Sequence, residues 1–265
     1  ITFTGSFDVG MKIYQDYAKG EYPRPIILEM GGKNPAVVTE NADLDQAAQG
    51  IFRSAFGLQG QKCSATSRVL VHESVYDELV GLVKDLTESA VIGDPTEKAT
   101  FLGPVANQGA YNDYKSFTED LDQAGNIVIG GKVRTEGAFG KGYYCEPTIV
   151  TDVPLEHRLW KQEMFVPITM VHKFNTLDEA IHIANDVNYG LTAGIYGTED
   201  EVSWFFGNIE AGVVYANRPQ GATTGAWPGF QPFGGWKGSG SSGKNAGGKY
   251  YLQLYMHEQI NTVIR

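Results

Sequence analysis

Two short segments carry side chains able to do covalent chemistry. Gly60-Gln61-Lys62-Cys63-Ser64 sets a thiol on a glycine-bearing loop just beyond a helix end. The thiolate is the nucleophilic form of cysteine, and a neighbouring cation such as Lys62 favours it. Read alone, a cysteine such as Cys63 is more often a small buried residue. Leu28-Glu29-Met30-Gly31-Gly32-Lys33-Asn34-Pro35 sets a carboxylate after the apolar run Ile26–Leu28, against a glycine pair. The carboxyl end of a parallel strand is where α/β folds collect their active sites. Burial there would raise the carboxyl toward a general base. Read alone, Glu29 is also compatible with a solvated turn. Cys145 reads as structural. The histidines show no metal-ligand spacing, so no metal is expected.

Together, EMGGKNP and GQKC resemble the paired signature of the aldehyde dehydrogenase family. The resemblance extends over essentially the whole chain. FTGS with Gly10 is similar to that family's phosphate-proximal strand and helix start. KQEMFVP resembles its KEEIFGP-type segment, NYGLTAGI its NxxxYGL region and QPFGGWKGSG its PFGGxKxSG. The resemblance implies that Cys63 attacks an aldehyde to give a thiohemiacetal, and that Glu29 activates the water that hydrolyses the ensuing thioester. It implies one oxyanion donor from the Cys63 backbone N–H and a side-chain amide from a segment preceding Ile1. It also implies NAD as cofactor, with NADP not excluded. Gly5, Ser6 and Gly31 would approach it, Glu163 would hold the nicotinamide ribose, and Phe165 would pack near the nicotinamide. Val166 departs from the family, which has glycine there.

Within that family, the stretch from Gly221 to Phe233 resembles the TTGAxxGxQPFGG loop of enzymes that oxidise L-glutamate γ-semialdehyde. In them a serine matching Ser64 helps bind the substrate's α-carboxylate. Backbone N–H groups matching Gly225 and Ala226 hold that carboxylate, and an aromatic matching Phe233 packs on the aliphatic chain. Asn245–Leu252 resembles their KAGGPxYL segment, with Lys249 in the proline place and a longer link from Ser239. A broad-specificity or other semialdehyde dehydrogenase is the enzymatic alternative. An inactive folded fragment is the other.

Side chains like these must be held by regular elements. Apolar residues recur with helical spacing after Asn41 (Leu44, Ala47, Ala48, Ile51, Phe52, Ala55, Phe56), with Gly57 as a stop, and again after Ser74. Thr176 with Glu179, and Thr198 with Glu201, have capping-box spacing. The second of these helices is expected to bury Val202, Phe205, Phe206 and Ile209. Short β-rich runs alternate with the helices: Ala36–Thr39, Arg68–His72, Asn126–Ile129, Ile168–Phe174, Ala193–Tyr196 and Gly212–Ala216. That pattern predicts an α/β fold with a mostly parallel sheet. The glycine-rich stretch Gln220–Gly248 carries Trp227, Phe230, Phe233 and Trp236, which suits a structured loop better than a linker.

The chain of 265 residues opens on a bare strand, Ile1–Thr4, and is read as the C-terminal portion of a longer protein. Residues 1–30 are assigned to the end of a Rossmann-type cofactor domain, 31–245 to the catalytic domain, and 246–265 to a tail. In the tail, Gln259–Ile264 resembles the family's strand for joining a partner, so a homo-oligomer is expected. A net charge of −10 leaves no basic stripe for nucleic acid or an anionic membrane. No run approaches the roughly 18 apolar residues of a membrane span. Two cysteines make no disulfide framework, which points to a reducing compartment. That compartment is the cytoplasm, or the mitochondrial matrix in a eukaryote. A small-molecule aldehyde is the expected partner.

Overall fold

A computed structural model describes residues 1–222 and 230–265. The strand β1 (Thr2–Thr4) passes through Gly5-Ser6 into α1 (Phe7–Ala18), and β2 (Ile27–Glu29) returns parallel to β1 with Thr4 opposite Glu29. These two strands form their own small sheet. The chain continues through β3 (Asn34–Val38), α2 (Leu44–Phe56), β4 (Thr66–His72), α3 (Tyr76–Glu88), α4 (Gln108–Ala124) and β5 (Asn126–Ile129). A short antiparallel pair follows, β6 (Val133–Arg134) with β7 (Tyr144–Cys145). Then come β8 (Thr148–Thr151), β9 (Ile168–Phe174), α5 (Leu177–Asn185), β10 (Tyr189–Gly190), β11 (Thr192–Tyr196), α6 (Glu199–Asn208), β12 (Val213–Ala216) and β13 (Trp236–Lys237).

The main sheet has the order β12-β11-β3-β4-β9-β8-β5, parallel throughout except where β5 runs against β8. Its central strands are covered on both faces, which explains their near-continuous apolar runs. Side chains alternate between the faces. Val37 and Leu70 join the core built with α4, α5 and α6, while Ala36, Val38, Val69 and Val71 join the core built with α2 and α3.

The helices start where their caps predict. Asp43 accepts the Gln46 N–H at the start of α2, and Gly57 ends that helix. Thr198 and Glu201 form the complete capping box of α6. At α5, Thr176 accepts the Glu179 N–H, but the Glu179 carboxylate takes the N–H of Asn175. The reciprocal half of that box is thus shifted by one residue. In α6, Phe205 and Ile209 are buried and Val202 half-buried, but Phe206 is exposed. Its position on the helix turns it to solvent, contrary to the expected apolar face.

Candidate active site

Glu29 ends β2, and its surroundings fix its backbone on three sides. The Gly5 N–H donates to the Glu29 carbonyl at 3.1 Å. The Met30 N–H donates to the carbonyl of Ser239, and the Ser241 hydroxyl bridges Leu28 N–H and the Ile26 carbonyl at 2.8 Å each. Ser239, fully buried, donates to the Gly31 carbonyl at 2.7 Å and accepts from the Gly190 N–H at 3.0 Å. The glycine-rich stretch is therefore stapled to the strand that carries Glu29, as expected of a structured loop. Burial pushes the Glu29 carboxyl up to about 7.

Cys63 follows α2 by way of a tight loop in which Leu58, Gln59 and Gly60 all have left-handed backbone, with φ of 54°, 58° and 66°. A Cβ on Gly60 would meet the Val166 carbonyl, so this glycine allows the loop to pack on the 163–166 segment. The thiol is half-buried. Burial first, then the charges of Glu163 and Glu29, raise its pKa, while the backbone N–H groups of Ser64 and Cys63 pull it down. Lys62 and Cys63 attract each other: the thiolate raises the Lys62 ammonium's pKa, although burial, the larger cause, lowers it. The same ammonium donates to the Arg53 carbonyl at 3.5 Å, and α2 reaches the loop with its carboxyl end, whose partial charge disfavours a thiolate.

Glu163 packs flat on the glycine pair. Its carboxylate accepts the Gly32 N–H at 3.0 Å, and a Cβ on Gly31 would collide with it. Burial raises the Glu163 carboxyl, against the pull of the Gly32 N–H and of Lys33. At the family departure, the left-handed φ of 55° falls on Phe165, not on Val166. Val166 needs no special backbone and buries its side chain in the core.

One cavity of about 600 Å³ is lined by Thr4, Gly5, Ser6, Glu29, Met30, Gly31, Cys63, Glu163, Phe165, Phe233 and Ala246. It gathers every expected site residue among the described ones except Ser64. Ser64 is fully buried behind Cys63 and absent from the cavity wall. Gly225 and Ala226 lie outside the described residues. Phe233 is buried against Leu191, Val213 and Cys63, and its backbone bridges to Ala246 in both directions. Thr4, Met30 and Ala246 were not anticipated. The first two adjoin expected residues, and Ala246 belongs to the closing segment whose resemblance had been noted.

The edges of the two sheets meet here in an unexpected sense. Glu29 and Gly5 stand at the carboxyl ends of β2 and β1, as predicted. Cys63, Gly31 and Glu163 precede the amino ends of β4, β3 and β9 in the main sheet. The carboxyl-end rule holds for the small sheet only. The cavity can take a cofactor as well as an aldehyde. Ser6 caps α1 with no side-chain bond, which leaves the first N–H groups of α1 available to a phosphate at the wall. Glu163 offers carboxylate oxygens to sugar hydroxyls.

A thiol and a carboxyl raised to about 7 thus face one cavity. The chain belongs to the aldehyde dehydrogenase family, whose profile matches residues 1–261. Two relatives named 1-pyrroline-5-carboxylate dehydrogenase, from Bacillus licheniformis and Geobacillus thermodenitrificans, are each 43% identical to it. They cover 97% and 99% of this chain and 49% and 50% of their own lengths. The chain thus spans about half the length of the curated relatives it matches. The structure of 1-pyrroline-5-carboxylate dehydrogenase from Thermus with bound NAD matches with a TM-score of 0.88 at 38% identity, over 96% of this chain and 49% of that one. Betaine aldehyde dehydrogenase from Staphylococcus aureus in complex with NAD+ matches equally in shape, with a TM-score of 0.88 at 29% identity over the same shares.

Proposed function

We propose that this chain forms the catalytic half of an NAD-dependent dehydrogenase that oxidises L-glutamate γ-semialdehyde to glutamate in proline breakdown. The observation that carries the reading is the shared cavity of Cys63, Glu29, Glu163, Phe165 and Phe233. Cys63 gives up its proton to water, and its sulfur bonds to the aldehyde carbon as the carbonyl π pair moves onto oxygen. The Cys63 backbone N–H stabilises the oxyanion. When bound, NAD supplies the hydride acceptor. Loss of hydride leaves a thioester on Cys63. Glu29 takes a proton from water, the hydroxyl adds to the thioester carbon, and the sulfur departs as the carboxylate product forms. Gly5, Ser6 and Gly31 would line the cofactor's path, Glu163 would hold its ribose and Phe165 its nicotinamide face. NADP differs at a part of the cofactor that these residues do not touch.

The fold alone does not pick the aldehyde, since the betaine aldehyde enzyme shares it equally. The substrate reading rests on the higher identity to the 1-pyrroline-5-carboxylate enzymes and on the loop containing Gly225 and Ala226, which would hold the carboxylate, with Phe233 packed on the chain of methylenes. Ser64 would help hold the same carboxylate. We assign residues 1–30 to the cofactor domain, supported by the separate β1–β2 sheet. Residues 31–245 then form the catalytic domain. Residues 246–265 form a tail whose end, with Ile260, Val263 and Ile264 all exposed, supports pairing in a homo-oligomer. Among the described residues no helix is long and apolar enough to cross a membrane.

NADH formation with glutamate semialdehyde, succinic semialdehyde and acetaldehyde tests the substrate. The account expects the highest kcat/KM for the first. Preference for acetaldehyde would sink it and favour a broad-specificity enzyme. The half-length match favours a second reading, a folded fragment without activity of its own. Absence of NADH from this chain, with turnover in a longer protein containing it, would support that reading.

A further inference from the structure

One buried side chain that the mechanism leaves unused grips the nucleophile's loop from below. Asn34, the first residue of β3, is 2% exposed. Its amide Nδ2 donates to the Cys63 carbonyl at 2.7 Å and to the Ala65 carbonyl at 2.9 Å, and its Oδ1 accepts the Thr192 N–H at 3.0 Å. These partners fix the orientation of the amide, because the reverse would face oxygen to two carbonyls and nitrogen to an N–H. Gly32 makes room for the grip: a Cβ there would lie 2.6 Å from both Asn34 Oδ1 and the Cys63 carbonyl oxygen.

The geometry matters because the Cys63 carbonyl and the Ser64 N–H belong to one planar peptide. The carbonyl points to Asn34. The N–H points the other way and faces the thiol. Holding the oxygen therefore aims the hydrogen, and a donor on the carbonyl also polarises the peptide and strengthens its N–H. The preceding loop, with three consecutive left-handed residues, is tied by Gln59 to the Pro104 carbonyl and by Gln61 to the Ala106 N–H, bonds that do not reach the Cys63 carbonyl.

We propose that Asn34 is a positioning residue for acyl transfer. It clamps the Cys63–Ser64 peptide so that the Ser64 N–H meets the negative charge on sulfur, both when the thiolate forms and when it leaves the thioester. The proposal rests on Cys63 being the nucleophile. Lys33 and Thr192 flank the clamp but do not hold the Cys63 carbonyl. The charged groups near the sulfur are Glu163, Glu29 and Lys62, whose ammonium also donates to the Arg53 carbonyl. All of these stay in place in the test.

The test is the rate of iodoacetamide alkylation of Cys63 from about pH 6 to about pH 10, followed by peptide mass so that Cys145 is counted separately. Three variants are compared with the parent. Asn34→Leu keeps the size and loses both donors. Asn34→Ser keeps one hydroxyl donor. Tyr114→Phe loses buried bonds to the Glu146 carbonyl and Thr148, away from the cavity wall. The alkylation midpoint of Asn34→Leu is expected to rise by about one pH unit, which makes alkylation near pH 8 about tenfold slower. Asn34→Ser should fall between it and the parent, and Tyr114→Phe should match the parent. In the full-length protein, kcat should fall with the cofactor KM unchanged. If Asn34→Leu does not fold, Asn34→Ser carries the test. A folded Asn34 variant with the parent's alkylation profile overturns the proposal. Loss of the functional reading would show separately, as NADH formation that survives Cys63→Ala.

Discussion

Glu29 holds a carboxyl near 7 at the end of a strand, where one group can take and release a proton near neutral pH. Glu29→Gln is expected to lower steady-state turnover by about 10²- to 10⁴-fold while leaving the first, thioester-forming turnover intact. In the parent, hydrolysis should accelerate as pH rises through about 7 as the carboxylate forms. Stability runs the other way. The folded carboxyl binds its proton more tightly than the unfolded one, so stability falls as pH rises from the ordinary value of 4.5 to about 7. Glu29→Gln should therefore raise Tm at about pH 8 and leave it unchanged at about pH 4, below both values. Ser64 follows the nucleophile and is fully buried. Ser64→Ala should raise KM for the carboxylated aldehyde more than for a simple one. An equal effect on both would remove Ser64 from the substrate's carboxylate. Cys63 and Glu29 were legible because two motifs together specify one chemistry. Asn34 was not, because its role is a hydrogen-bonding valence that means something only once β3 lies beside the nucleophile's loop.

At the scale of elements, the site depends on glycines that let neighbouring segments touch. Gly31 is the sharpest case, since its missing Cβ is the space the Glu163 carboxylate fills. Gly31→Ala should displace that carboxylate and raise the cofactor KM about tenfold, the worth of a charged hydrogen bond, with Cys63 alkylation faster than in the parent because the Glu163 charge that raises the thiol has moved. An unchanged cofactor KM would remove Glu163 from the cofactor's path. The helices α2, α3, α5 and α6 were legible from their apolar period, with side-chain caps at α2, α5 and α6 but none at α3. The main-sheet strands were legible except β8, a run of four residues. The helix α4 was harder to read. It is polar over most of its length and buries only Tyr114, Phe117, Thr118 and Leu121, a stripe thin enough to pass for a surface loop. The meeting of one sheet's carboxyl ends with the other's amino ends could not be read from either pattern alone. It is set by how two sheets pack, and parallel strands look alike from both edges in sequence.

Taken whole, the molecule places its catalytic wall between a small two-stranded sheet and a seven-stranded one, so a rigid main sheet is a condition of the chemistry. Leu70 lies in its centre, fully buried with Val37, Val150 and Met170. Leu70→Ala should cost about 2–5 kcal/mol, read as a lower denaturation midpoint with an unchanged slope. A loss below about 1 kcal/mol would mean that the core there is not packed as described. The central claim is that Cys63 carries the acyl group and Glu29 releases it. The most direct measurement is the mass of the Cys63 peptide from a full-length Glu29→Gln protein, quenched after mixing with NAD and glutamate semialdehyde. The account predicts a glutamyl thioester on Cys63, formed with one NADH per site and decaying slowly. An unmodified Cys63 during continued NADH production, or an adduct on another residue, would contradict it.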